Sequence, residues 1–149
     1  MDKNSILIEL SESTRTSFGK VDFHEQTIPQ KVFSALWALE GEVNNGGFSQ
    51  YFFNDSCETA CFVVEALETI GAPQTADLCR QAIAVAFPGG LPSDAEEIRA
   101  AVESFSDDQV QKLDDLDRKF YLYPHDLTTL LYAFVEQHPN EFGTLPATE

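Results

Sequence analysis

Positive charge is what this chain has least of. Nine Lys and Arg stand against twenty-five Asp and Glu, a net charge of −16, and a field of that sign repels nucleic acid, anionic lipid and other anions. Direct binding of nucleic acid is therefore excluded, and a basic partner or a cation is favoured. Cysteine is scarce and odd in number: Cys57, Cys61 and Cys79. Cys57 and Cys61 are four apart, but no histidine falls at a ligand-like spacing. They read as free thiols on apolar helix faces, with no metal site and no cofactor. The three histidines are scattered, no HExxH occurs, and no nucleophile stands with a base, so little supports an enzyme. Ile6 to Leu10 is too short for a secretory core and is interrupted by Glu9. No apolar run approaches the roughly 20 residues of a membrane span. A cytoplasmic location with reduced thiols is the expectation.

What the chain does have is apolar weight. A 43% hydrophobic fraction with twelve Phe excludes disorder despite the charge, and 149 residues suit one domain with one core. The pattern predicts an all-α single domain, 1–149, of about six to eight short helices. Residues 5–12 lean towards helix, and residues 11–26 read as a loop or a broken helix. Thr27 and Pro29 mark a helix start. Val32, Leu36 and Leu39 share its inner face, and Gly41 begins its exit. Asp55 or Ser56 caps a helix running to Ile70, apolar around most of its circumference and so expected to be central. Gln74 to Phe87 forms the next. Ser93 with Glu96, and Ser106 with Gln109, have capping-box spacing and open two more. The first is expected to bury Ile98, Ala101, Val102 and Phe105, the second Val110, Leu113, Leu116 and Phe120. Asp126 caps a last helix that Pro139 ends.

One stretch stands apart: Glu42, Val43, Asn44, Asn45, Gly46, Gly47, Phe48, Ser49, Gln50, Tyr51, Phe52, Phe53, Asn54. Two adjacent glycines permit backbone angles or close approaches that a Cβ forbids, and Phe48, Tyr51 and Phe52 need burial. Side-chain amides at a turn satisfy loose backbone groups at helix ends, so Asn44, Asn45, Gln50 and Asn54 read mainly as structural. The other reading is a polar pocket lined by those amides.

From Asn45 to Asn54 the chain resembles a bacterial helical family that carries an Asn-Gly-Gly-Phe-x-Gln-aromatic-Phe-x-Asn motif. Ala66 to Ala72 is similar to the Ala-Leu-x-x-Ile-Gly-Ala run that follows in that family. The resemblance extends over roughly residues 28–142, with 1–26 outside it. Most members have no established role, but the family includes an acidic dimeric protein that imitates double-stranded DNA and occupies a transcription factor's DNA-binding surface. The resemblance thus implies a homodimer and a basic DNA-binding partner.

The motif holds one acid, Glu42, and cannot itself imitate a duplex. The candidate surface is made of Glu58, Glu65 and Glu68 on one helix face, Glu96 and Glu103 two turns apart on another, and Asp107, Asp108, Asp114 and Asp115 at seven-residue spacing. Such spacing is about 10 Å along a helix, whereas duplex DNA carries two phosphates per roughly 3.4 Å of axis. Several helices must therefore cooperate. Part of the acidity has a local use: Asp114 with Arg118, and Asp115 with Lys119, have helix-pairing spacing, and first-turn acids suit the helix dipole. Three function classes remain: a duplex mimic, an immunity-type or regulatory inhibitor acting through a shaped surface near the motif, and a metal-assisted enzyme.

Overall fold

A computed structural model describes residues 2–12 and 21–143 of the chain. It is all-α, with eight α-helices and no strand among the described residues. They are α1 (Lys3–Glu12), α2 (Ile28–Phe53), α3 (Ala60–Thr69), α4 (Pro73–Ala86), α5 (Ala95–Glu103), α6 (Asp107–Tyr121), α7 (Leu127–Glu136) and α8 (Pro139–Phe142), with short 3₁₀ turns at Phe23–Glu25 and Asp55–Thr59. The ambiguous start is helix, burying Ile6, Leu7 and Leu10. The expected loop at residues 11–26 lies partly outside the described residues.

The organising element is α2, not the helix ending near Ile70. It opens with a full capping box, in which the Thr27 hydroxyl accepts from the Gln30 amide while the Gln30 side chain accepts from the Thr27 amide. It does not exit at Gly41. It runs on to Phe53 and packs against α3, α5, α6, α7 and α8. Glycine weakens a helix interior but does not end one when the flanking turns are held by packing.

Two other caps differ from expectation. The chain after Asn54 tightens into a 3₁₀ turn with no side-chain cap from Asp55 or Ser56, so Glu58 sits in that turn and not on α3. At α5 the capping acceptor is Asp94, which bonds the Glu96 amide, and Ser93 is not the cap. The Ser106 and Gln109 box and the Asp126 cap form as expected. Val110 is exposed, because α6 buries only Leu113, Leu116 and Phe120 against the core. Ile98 is buried, whereas Ala101, Val102 and Phe105 are half-buried. Cys57 and Cys79 are buried thiols, but Cys61 is exposed.

Candidate functional site

Within α2 the chain kinks at Gly46 (φ −158°, ψ 17°) and Gly47 (φ 79°, ψ −177°). The second pair lies in a region that is essentially glycine-only. The kink is cross-braced from α6. Asp117 Oδ1 accepts the Phe48 amide at 2.8 Å, and the Tyr121 hydroxyl donates to the Val43 carbonyl at 2.7 Å. Asp117 thus caps the second half of α2 from another helix, placing a carboxylate at a positive helix end. Burial raises its pKa, the Phe48 amide opposes that rise, and neighbouring Asp114 adds to it.

Gly47 is required by angle as well as by close approach, and Gly46 by close approach alone. A Cβ on Gly47 would run into the Asp117 carboxylate, 2.8 Å from its Cγ. One on Gly46 would meet the Gln50 side chain, 2.7 Å from Cδ. Gln50 folds back over Gly46 to donate to Glu42 at 2.7 Å, and Asn54 donates to the same Glu42 oxygen at 2.9 Å. On the opposite edge, Asn44 donates to the Tyr123 hydroxyl, which donates to Glu40 at 2.9 Å. The amides therefore bond acidic and phenolic side chains, not the loose backbone groups expected of them. Asn45 is exposed.

The aromatics of the motif form the centre of the core. Phe48 meets Phe120 edge-on at 5.9 Å, and Phe52 meets Phe87 edge-on at 5.1 Å. Tyr51 is fully buried, and its hydroxyl lies 2.6 Å from that of Thr59. Thr59 itself donates to the Ser56 carbonyl, so the Tyr51 hydroxyl is the donor to Thr59. Burial pushes the Tyr51 pKa far above the ordinary phenol range.

All nine acids of the candidate surface are exposed. Glu65 and Glu68 lie on α3, Glu96 and Glu103 on α5, and Asp107, Asp108, Asp114 and Asp115 on α6, while Glu58 stands apart in the 3₁₀ turn. Three of them are drawn into ion pairs: Glu68 with Arg80 at 2.7 Å, Asp108 with Lys112 at 3.0 Å, and Asp115 with Arg118 at 2.8 Å. The last replaces both pairs expected on α6, since Arg118 reaches three residues back instead of four. Among the described residues Glu58, Glu65, Glu96, Glu103, Asp107 and Asp114 have no ion pair. No group of three or more His, Cys, Asp or Glu that could hold a metal occurs among those residues, and none of their helices is long and apolar enough to cross a membrane.

A family model described as DMP19-like protein matches residues 24–138, which takes in the kink, its braces on α6 and all nine surface acids. The chain belongs to the DMP19-like family. No curated protein and no solved structure matches it. In this DMP19-like chain, sequence reasoning missed Asp117, Tyr121 and Tyr123. Asp117 was hidden among the other aspartates of α6, and its one distinguishing mark is its place beside Leu113, Leu116 and Phe120 on the helix face that turns inward.

Proposed function

We propose that this protein is an acidic interaction module that occupies the DNA-binding surface of a basic protein by imitating double-stranded DNA, and that it does so as a homodimer. Membership of the DMP19-like family carries this reading, since the resemblance to a family containing a duplex mimic supplies the mode of action. Six exposed carboxylates with no ion pair among the described residues, set on the Asp55–Thr59 turn and on α3, α5 and α6, support it. Carboxylates of this kind pair with the Lys and Arg that otherwise hold phosphates, and long-range attraction speeds capture at low salt. Two chains bring the net charge to about −32, twice the −16 of one, which strengthens the long-range attraction for a basic partner.

The inhibitor reading, with a shaped surface at the motif, is disfavoured by the bonding there. Gln50 and Asn54 both donate their amide N–H groups to Glu42, and Asn44 donates to Tyr123.

The test is capture from a nuclease-treated lysate at low salt, followed by elution with short duplex DNA or with an equal concentration of a small anion. Selective release of a basic DNA-binding protein by the duplex is the expected result. The variant Glu65→Lys with Glu68→Lys should lose that capture with its helix content intact. A catch that resists salt and ignores duplex DNA would replace this reading with the inhibitor.

A further inference from the structure

A cavity of about 270 Å³ opens between α1, α2 and α7, lined by Asn4, Leu7, Trp37, Glu40, Gly41, Asn44, Thr128 and Leu131. It is smaller than the roughly 300–1,000 Å³ of sites for drug-sized ligands, a size suited to a single side chain. Its lining contains one carboxylate, one indole and no cation. Asp126, which caps α7, adds a second negative charge close enough to act on Glu40, with Lys3 acting in turn on Asp126.

Three features in and beside this cavity bear on what it can hold. Gly41 lies in the interior of α2, where glycine weakens a helix relative to alanine. Yet a Cβ there would meet nothing within 4 Å, and its φ is not in the left-handed region. Neither packing nor backbone angle requires it, and its missing side chain leaves that wall of the cavity open. Tyr123 holds the left-handed φ of 48°, an unfavourable conformation for a bulky residue, and thereby brings its hydroxyl to Glu40 and Asn44. Glu40 Oε2 takes that bond, while no hydrogen bond among the described residues reaches Oε1. Burial, opposed by the Tyr123 bond, raises the Glu40 pKa, which a bound cation would reverse.

We propose that this cavity receives the guanidinium of one arginine of the basic partner, paired with the Glu40 carboxylate and walled by Trp37. Arginine fits better than lysine because its planar, weakly hydrated group pairs with a carboxylate and stacks on an aromatic ring at once. Glu40, held by Tyr123, is the ionic anchor. The missing side chain of Gly41 gives the entry, and Asn44 holds the tyrosine in place. The proposal rests on the reading of the protein as a binder of basic proteins for the origin of the arginine. The cavity itself, however, can be tested without a partner.

Trp37 is the only tryptophan of the chain and one wall of the cavity, so its fluorescence reports on binding there. The whole protein is titrated with N-acetyl-arginine amide, and in parallel with the uncharged citrulline analogue and with N-acetyl-lysine amide. A saturable change with the arginine compound, absent with citrulline and weaker with lysine, is expected. Glu40→Gln should weaken binding by about tenfold or more, the scale of a lost charge-assisted bond. Gly41→Leu should abolish binding, and Gly41→Ala should weaken binding while melting no lower than the wild type. The alanine variant separates occlusion from misfolding. Equal responses to arginine and citrulline, or a Gly41→Ala and Glu40→Gln pair that binds as the wild type does, would overturn the proposal. If the arginine compound fails while duplex DNA still releases a captured basic protein, the cavity assignment alone is lost. If it binds while no such protein is captured, duplex imitation is lost and the cation site stands.

Discussion

Replacing Gly47 with alanine tests the account of the kink directly. The native φ of 79° with ψ of −177° is a conformation that costs a residue with a Cβ about 1–3 kcal/mol. The new methyl would also have to displace the Asp117 carboxylate, and with it the bond to the Phe48 amide. A hydrogen bond to a charged group is worth about 1.5–3 kcal/mol, and half-burial of Asp117 places this one at the lower end. Together these give a loss of about 3–4 kcal/mol, a large part of the roughly 5–15 kcal/mol that holds a domain folded. In a chain of this length that lowers the melting temperature by about 10 °C. Urea titration followed by helical circular dichroism reads the loss as a lower midpoint at unchanged slope. Removing the obstacle with Gly47→Ala and Asp117→Ala together should not restore wild-type stability, because the backbone strain remains. Gly41→Ala, six residues earlier in the same helix, should instead stabilise by about 0.5–1 kcal/mol. A Gly47→Ala loss under about 1 kcal/mol, similar in size to ordinary surface changes, would refute the cross-braced kink.

Asp117 and Glu40 both have pKa values raised in the folded state, chiefly by burial. Their protonated forms therefore favour the native chain, and the stability they contribute is present at low pH and lost as pH rises through the window above the ordinary carboxylate range. Asp117→Asn keeps an acceptor for Phe48 and should flatten that part of the pH dependence, measured by urea midpoints across the window; an unchanged slope would assign it elsewhere. Among the cysteines, Cys61 is exposed while Cys57 and Cys79 are buried with raised pKa values, that of Cys79 pushed up to about 12. A thiol reagent should modify Cys61 in the native protein and the other two only after unfolding, as peptide mass mapping would show.

How far the sequence discloses this molecule depends on the range of the interactions. Helix starts set by local chemistry, such as Thr27 with Pro29, Ser106 with Gln109 and Asp126, are legible because their signals lie within three residues of one another. The all-α class follows from apolar spacing, and the motif is conspicuous because two glycines beside three aromatics answer no local rule. What the motif does is not legible, since its partner Asp117 lies 69 positions away. Tyr123 and Asn44 are 79 apart. Gly41 is misleading for a related reason: read locally it stops a helix, whereas packing by five other helices carries α2 through it. The surface acids are easy to identify as exposed, but spacing alone does not choose between Asp114 and Asp115 as the partner of Arg118.

Two groups of carboxylates have opposite energetic roles. Glu42 and Asp117 are engaged within the fold by Gln50, Asn54 and Phe48. Glu65, Glu103 and Asp114 are exposed without an ion pair among the described residues, and they add to a self-repulsion that opposes the compact state. Glu103 ends α5 at the negative end of its dipole, and Asp114 makes ionisation of Asp117 harder. Nothing among the described residues gives these three side chains a stabilising ionic role, so folding alone does not account for them, and under the proposed function they face a basic partner. The triple variant Glu65→Gln, Glu103→Gln and Asp114→Asn should then be more stable by about 1 kcal/mol in sum, each change within the usual few tenths of a surface substitution. The same variant should weaken capture of a basic partner and reduce its salt dependence. A variant that is less stable, or that binds as the wild type does at every salt concentration, would mean that these acids serve the fold or nothing, and that the binding face lies elsewhere.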